Sequence, residues 1–162
     1  MSISVGDTLP DANLVRMGAS GPEQVTMASL TKGRKVVIFG LPGAYTGTCT
    51  TAHVPSFMRT KPGFDAKGVD EVICLSVNDV FVMAAWGQST GATEAGVSMV
   101  GDAAAEFTKA IGMEFSAAPV GLIDRSKRYA MYVEDGTVKV LHAEENPGVC
   151  DISAGEALLA AL

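Results

Sequence analysis

Cysteine, histidine and tryptophan are scarce in this 162-residue chain, with three, two and one copies respectively. Cys49, Cys74 and Cys150 are odd in number and far apart, which excludes a secreted disulfide framework. Reduced thiols in a cytoplasmic setting are therefore expected. Met1–Asp7 has neither the basic start nor the apolar core of a signal peptide. No apolar run approaches the roughly 20 residues that span a bilayer, so no membrane partner is expected. Basic residues are also few, and the net charge of −6 argues against nucleic acid or an anionic membrane surface as a partner. A zinc site would need more than Cys49 and His53, because no second Cys/His pair exists, so no metal is expected. Walker spacing is absent and no lysine lies in the glycine-rich loop before Cys49, which argues against nucleotide binding. No cofactor is implied.

What is present is an ordinary globular balance, 48% hydrophobic and 19% charged. One domain over residues 1–162 is the expectation, large enough to bury roughly two thirds of its unfolded surface. Apolar strand-like segments alternate with helix-like ones. Strands are predicted at Arg34–Phe39, Val69–Val77 and Val97–Val100, and a hairpin at Tyr129–Val133 and Val138–His142 around Glu134-Asp135-Gly136. Helices are predicted at Thr48 to about Arg59, Val80–Ser89 with Asn78 or Asp79 as N-cap, Ala103–Ile111, and Ala154–Leu162. Ser153-Ala154-Gly155-Glu156 fits a capping box, and Gly18–Pro22 reads as a surface turn. Near-continuous apolar strands with intervening helices indicate an α/β fold, a central mixed β-sheet flanked by helices with a thioredoxin-like order of elements.

The chemistry concentrates at Pro42-Gly43-Ala44-Tyr45-Thr46-Gly47-Thr48-Cys49, between the strand Val36–Phe39 and a helix start. Cys49 follows Thr46 by three residues and precedes His53 by four. A free thiol, with pKa near 8.5, is only a few per cent ionised near pH 7, and the thiolate is the nucleophile. Lowering such a pKa to about 6 takes roughly 3.4 kcal/mol of preference for the anion. A helix N-terminus supplies about 0.3–1 kcal/mol, and up to about 2 in favourable geometry. A cation or hydrogen-bond donors must supply the rest. Thr46 is the nearest hydroxyl, Pro42 can shape and shield the loop, and His53 can donate to the thiolate or bond to backbone.

Pro42-x-x-x-Thr46-x-x-Cys49 resembles the peroxidatic loop of the peroxiredoxins. The stretch through His53-Val54-Pro55-Ser56-Phe57 looks like the type 5 subfamily, which includes the plant type II enzymes. Gly68–Asp79 with Phe81–Trp86, and Arg125–Ala130 with Asp135–Leu141, are similar to further blocks of that subfamily. The resemblance implies a thiol-dependent peroxidase acting on hydrogen peroxide and organic hydroperoxides. In it Cys49 is the peroxidatic nucleophile, Thr46 orients the peroxide and Arg128 supplies the missing cation. Arg125 is the competing arginine, otherwise read with Lys127 as solvated surface. Gly47 and Thr50 stand where the family usually has Pro and Ser. Cys74 and Cys150 are the candidates for resolving the sulfenic acid. Cys74 lies in a strand expected to be buried, and the Cys150 loop is shorter than the family's. Regeneration is therefore expected from glutaredoxin with glutathione or from thioredoxin, with an internal Cys49–Cys150 disulfide as the alternative. A homodimer is implied, with Phe81 a candidate contact. Two rival functions are a cysteine hydrolase using Cys49 and His53, and a redox-sensing binding module without high turnover.

Overall fold

The computed structural model describes residues 2–162. A seven-stranded mixed sheet forms its centre, in the order β2-β1-β5-β4-β3-β8-β9. The strands are β1 (Asn13–Gly18), β2 (Gly21–Thr26), β3 (Lys35–Leu41), β4 (Glu71–Ser76), β5 (Val97–Gly101), β8 (Tyr129–Glu134) and β9 (Thr137–Ala143). A separate hairpin pairs β6 (Glu114–Ala117) with β7 (Leu122–Ser126). The parallel strands β3, β4 and β5 form the middle, with β8 antiparallel to β3 and β1 antiparallel to β5. The helices are α1 (Met27–Thr31), α2 (Val54–Ala66), α3 (Val80–Thr90), α4 (Glu106–Ala110) and α5 (Gly155–Ala160).

Strand alternation divides the core in two. Val37, Phe39 and Leu41 of β3 face one layer with Val72 and Cys74 of β4, against Phe57, Phe64, Trp86 and Leu158 of α2, α3 and α5. Val36, Ile38, Ile73 and Leu75 face the other, with Leu30 of α1 and Phe107 of α4. Both faces of the central strands are thus covered, which is why their sequences read as continuous apolar runs. The α/β architecture expected from sequence is the one observed.

Several boundaries differ, each for a physical reason. The predicted helix from Thr48 to Arg59 begins with a π-helical turn, Cys49–His53, and continues as α2 through Pro62 to Ala66. Pro62 forfeits one backbone bond, but stacked Phe57 and Phe64, both fully buried with centroids 5.9 Å apart, hold the helix together across it. The helix predicted over Ala103–Ile111 shrinks to α4, because the Asp102 carboxylate accepts from the Phe107 and Thr108 amides and caps the chain there. Ala105 lies in left-handed backbone, φ 56°, just before it.

The Ser153 capping box does not form. The Ser153 amide and hydroxyl donate to Glu144, and Ser56 Oγ accepts from the Gly155 amide at the start of α5. A Cβ on Gly155 would collide with Thr60 and the Ser56 carbonyl, so the close approach of α5 to α2 requires glycine. The turn at Gly18–Pro22 joins β1 to β2, a pair the sequence reading did not find. The β6–β7 hairpin was equally silent, since its short, half-exposed strands carry little apolar alternation. Asp79, not Asn78, caps α3, accepting from the Val82 amide at 2.9 Å.

Candidate active site

The loop after β3 is shaped from three sides. Its Ala44 amide donates to Asn78 Oδ1 at 3.0 Å, and Ser76 Oγ donates to the same oxygen at 2.7 Å. Arg125 Nη1, from β7, donates to the Pro42 carbonyl at 3.2 Å. Arg125 is therefore a loop anchor, which corrects its reading as a solvated surface residue. Thr46 Oγ1 donates to the Gly43 carbonyl at 2.6 Å, leaving its oxygen lone pairs to accept from whatever enters. Gly47 is exposed with open space where a Cβ would stand, so the absence of proline there meets no packing demand.

Cys49 follows in the first turn of the π-helical segment and is fully buried. Arg128 Nη2 donates to its Sγ at 3.2 Å. The same guanidinium donates from Nη1 to His53 Nδ1 at 3.0 Å and from Nε to the Pro147 carbonyl at 3.0 Å. Arg128 is 1% exposed, and among the described residues no carboxylate forms an ion pair with it. The two arginine-bearing and cysteine-bearing segments expected to meet do meet, 79 residues apart in sequence.

His53 takes a backbone partner, one of the two roles open to it, and also receives a bond from Arg128. Its Nε2 lies 3.0 Å from the Ser153 carbonyl, which can only accept, so Nε2 carries the proton. Nδ1 then accepts from Arg128 and faces no thiol donor. Burial first, and the Arg128 charge second, push its pKa down from the ordinary 6.5 to about 3, against a smaller opposing effect of the Ser153 carbonyl. His53 is a neutral prop for Arg128, packed against Phe39 and Phe57, rather than a donor to sulfur.

The other thiols differ in access. Cys74 sits on β4 between Phe39 and Met99, fully buried, and burial pushes its pKa well up, with Cys49 adding to the rise. Cys150 is half-buried; burial pushes its pKa up, while Ser153 and Arg128 oppose. All three thiols are free. A cavity of about 340 Å³ opens beside the site, lined by Pro42, Thr46, Phe115, Leu122, Arg128 and Pro147 among others. A larger groove of about 530 Å³ includes Arg16, Gln88, Ser98 and Met99 in its lining, with no cysteine or histidine among them. Among the described residues no three His, Cys, Asp or Glu side chains gather as a metal site, and no helix is long and apolar enough to cross a membrane.

Residues that sequence reasoning missed are those acting through backbone. Pro147 and Ser153 offer carbonyls, which no side-chain pattern reveals. Asn78 was noticed only as a possible cap, and Glu144 gave no signal.

Residues 4–159 match the Redoxin family model. Peroxiredoxin-2E-2, chloroplastic, of Oryza sativa subsp. japonica is 47% identical over 165 residues, covering 99% of this chain and 73% of that protein. The crystal structure of reduced Prx3 in complex with hydrogen peroxide from Vibrio vulnificus superposes with a TM-score of 0.92 at 41% identity, over 98% of each chain. Peroxiredoxin 5 from Alvinella pompejana superposes at 0.85 with 30% identity, over 98% of this chain and 97% of that one. The chain belongs to the peroxiredoxins within the redoxin family and is a thiol-dependent peroxidase, an oxidoreductase. Chloroplastic and mitochondrial proteins are among its relatives.

Proposed function

We propose that Cys49, as a thiolate, reduces hydrogen peroxide and organic hydroperoxides. The observation that carries this is a buried Arg128 guanidinium that, among the described residues, pairs with no carboxylate and reaches Cys49 Sγ with one donor. Burying an uncompensated cation costs several kcal/mol, and a thiolate supplies the missing charge. The thiolate attacks the terminal peroxide oxygen. An S–O bond forms as the O–O bond breaks; Cys49 is oxidised to sulfenic acid, and the departing oxygen takes a proton to leave as water or an alcohol. Thr46 accepts from the peroxide O–H, and Arg128 stabilises charge as it moves from sulfur to the leaving oxygen. Pro42 and the apolar walls at Phe115 and Leu122 exclude water and accommodate a carbon substituent.

A hydrolase reading is disfavoured because His53 Nδ1 already accepts from Arg128 and cannot take a proton from Cys49. A sensor would share the oxidation step but not sustained turnover. Regeneration by glutaredoxin with glutathione, or by thioredoxin, fits the burial of Cys74. The internal Cys49–Cys150 disulfide stays as a second reading, favoured by the half-buried position of Cys150 two residues after Gly148, whose carbonyl accepts from Thr48 beside Cys49. The test is peroxide loss and sulfenic acid trapping with the reduced protein. Cys49→Ser must abolish both, and wild-type peroxide consumption by that variant would sink the proposal. Intact mass after one turnover in single-cysteine variants identifies the resolving thiol, and steady-state turnover with each reductant separates enzyme from sensor.

A further inference from the structure

Glu144 directly follows β9 and is 8% exposed. Its Oε2 accepts from the Asp151 amide at 2.7 Å, the Ser153 amide at 2.9 Å and the Ser153 hydroxyl at 2.7 Å. Among the described residues it forms no ion pair. A buried carboxylate spent on three donors from one short segment would ordinarily be a loop staple. Here the staple closes residues 145–152, and what that segment presents is aimed at the site.

Two of the three partners of Arg128 depend on it. The Pro147 carbonyl, inside the closed segment, takes Arg128 Nε. The Ser153 carbonyl, at its far end, takes His53 Nε2 and thereby leaves Nδ1 to receive Arg128 Nη1. Thr48 Oγ1 donates to the Gly148 carbonyl at 3.0 Å, tying the segment to the turn that carries Cys49. The Glu144 amide also donates to the Arg128 carbonyl at 2.9 Å, so the carboxylate starts from the strand pairing that seats the arginine. Guanidinium direction decides whether Nη2 reaches sulfur, and a planar group has little tolerance for rotation.

Building on the proposed roles of Cys49 and Arg128, we infer that Glu144 is a positioning residue for the peroxidatic step. Acting through Ser153 and His53 on one side and Pro147 on the other, it fixes the orientation in which Arg128 meets Cys49. Glu144→Ala removes the acceptor, whereas Glu144→Gln keeps an oxygen but loses the charge, so the two form a graded pair.

The test uses the full chain and two readouts: single-turnover oxidation of Cys49 by hydrogen peroxide, and nitrogen NMR of the His53 ring and the Arg128 side chain. Oxidation is expected to slow by about tenfold in Glu144→Ala and by less in Glu144→Gln. The His53 nitrogens, one protonated and one bare in the wild type, should move toward a mixture, and the Arg128 Nε resonance should shift. The inference is overturned if a folded variant oxidises at the wild-type rate. It is equally overturned if oxidation slows while both sets of resonances stay in place. Should Glu144→Ala not fold, Glu144→Gln decides alone. If wild-type Cys49 does not react with peroxide, the functional reading fails, while the resonances still decide whether Glu144 orients Arg128.

Discussion

Arg128 makes three directed hydrogen bonds from one buried plane, to sulfur, an imidazole nitrogen and a carbonyl. Lysine offers a point charge and cannot reproduce that fork. Arg128→Lys and Arg128→Met should therefore both cut the second-order rate with hydrogen peroxide, by about 100-fold or more, with the methionine variant the slower. Stopped-flow peroxide oxidation checks this, and a lysine variant at wild-type speed would show that charge alone suffices. Thr46 allows a finer comparison. Serine keeps the hydroxyl that donates to the Gly43 carbonyl, while valine keeps the shape and loses it. Thr46→Ser should retain most activity and Thr46→Val should lose about 10- to 100-fold, the worth of one charge-assisted hydrogen bond of about 1.5–3 kcal/mol.

At the scale of elements, the π-helical turn carries the nucleophile and is tied to α3 by one bond, from Trp86 Nε1 to Thr50 Oγ1 at 3.2 Å. Trp86 is the only tryptophan in the chain, so its emission reports on that turn. Peroxide should change the fluorescence in step with sulfenic acid formation in the wild type and leave Cys49→Ser unchanged. A signal surviving in the serine variant would disconnect the indole from the chemistry. The elements also explain what could be read in advance. β3, β4, α3 and the β8–β9 hairpin were legible because their burial pattern is written in side chains, and Asp135 and Gly136 adopt the positive φ angles, 46° and 77°, that a tight hairpin turn requires. The link from Cys49 to Arg128 was reachable because the thiolate's energetics demanded a cation and the family pattern located it. The π-helical turn, the Asp102 cap and the loss of the Ser153 capping box were not legible. The Asp102 carboxylate caps amides five and six residues on, outside ordinary N-cap spacing, and Glu144 takes the Ser153 hydroxyl that a capping box would have used.

For the whole molecule, acid should be the vulnerable direction. His53 is held at about 3 against an ordinary 6.5, so the unfolded chain binds a proton that the folded chain refuses between those values. Its contribution is intact above pH 6.5 and is lost at about 1.4 kcal/mol per pH unit as pH falls toward 3. Glu144 acts in the same direction. Burial raises its pKa, but the donors from Asp151 and Ser153 and the charge of Arg128 more than offset that, so its stabilisation fades as pH falls through the carboxylate range. Urea midpoints measured from pH 7 to pH 4 should fall steadily, and a His53→Gln variant should fall less steeply; equal slopes would refute the assignment to His53. Assembly belongs to this scale as well. Phe81 is 65% exposed, and Tyr45, Val120 and Ile123 are also exposed apolar side chains. If these form the homodimer contact that the family resemblance implies, Phe81→Asp should sediment as a monomer where the wild type does not.

Cys74 has a use that its chemistry alone would not suggest. It lies in the middle of the sheet with no exposed surface, while Cys150 is half-buried in a surface loop. A reagent that tags thiols irreversibly can reach Cys74 only when the sheet itself opens, so its tagging acts as a clock for global opening. Loss of activity with Cys74 untagged means damage at the reactive sulfur of an intact protein. Loss accompanied by a tag on Cys74 means that the protein came apart first.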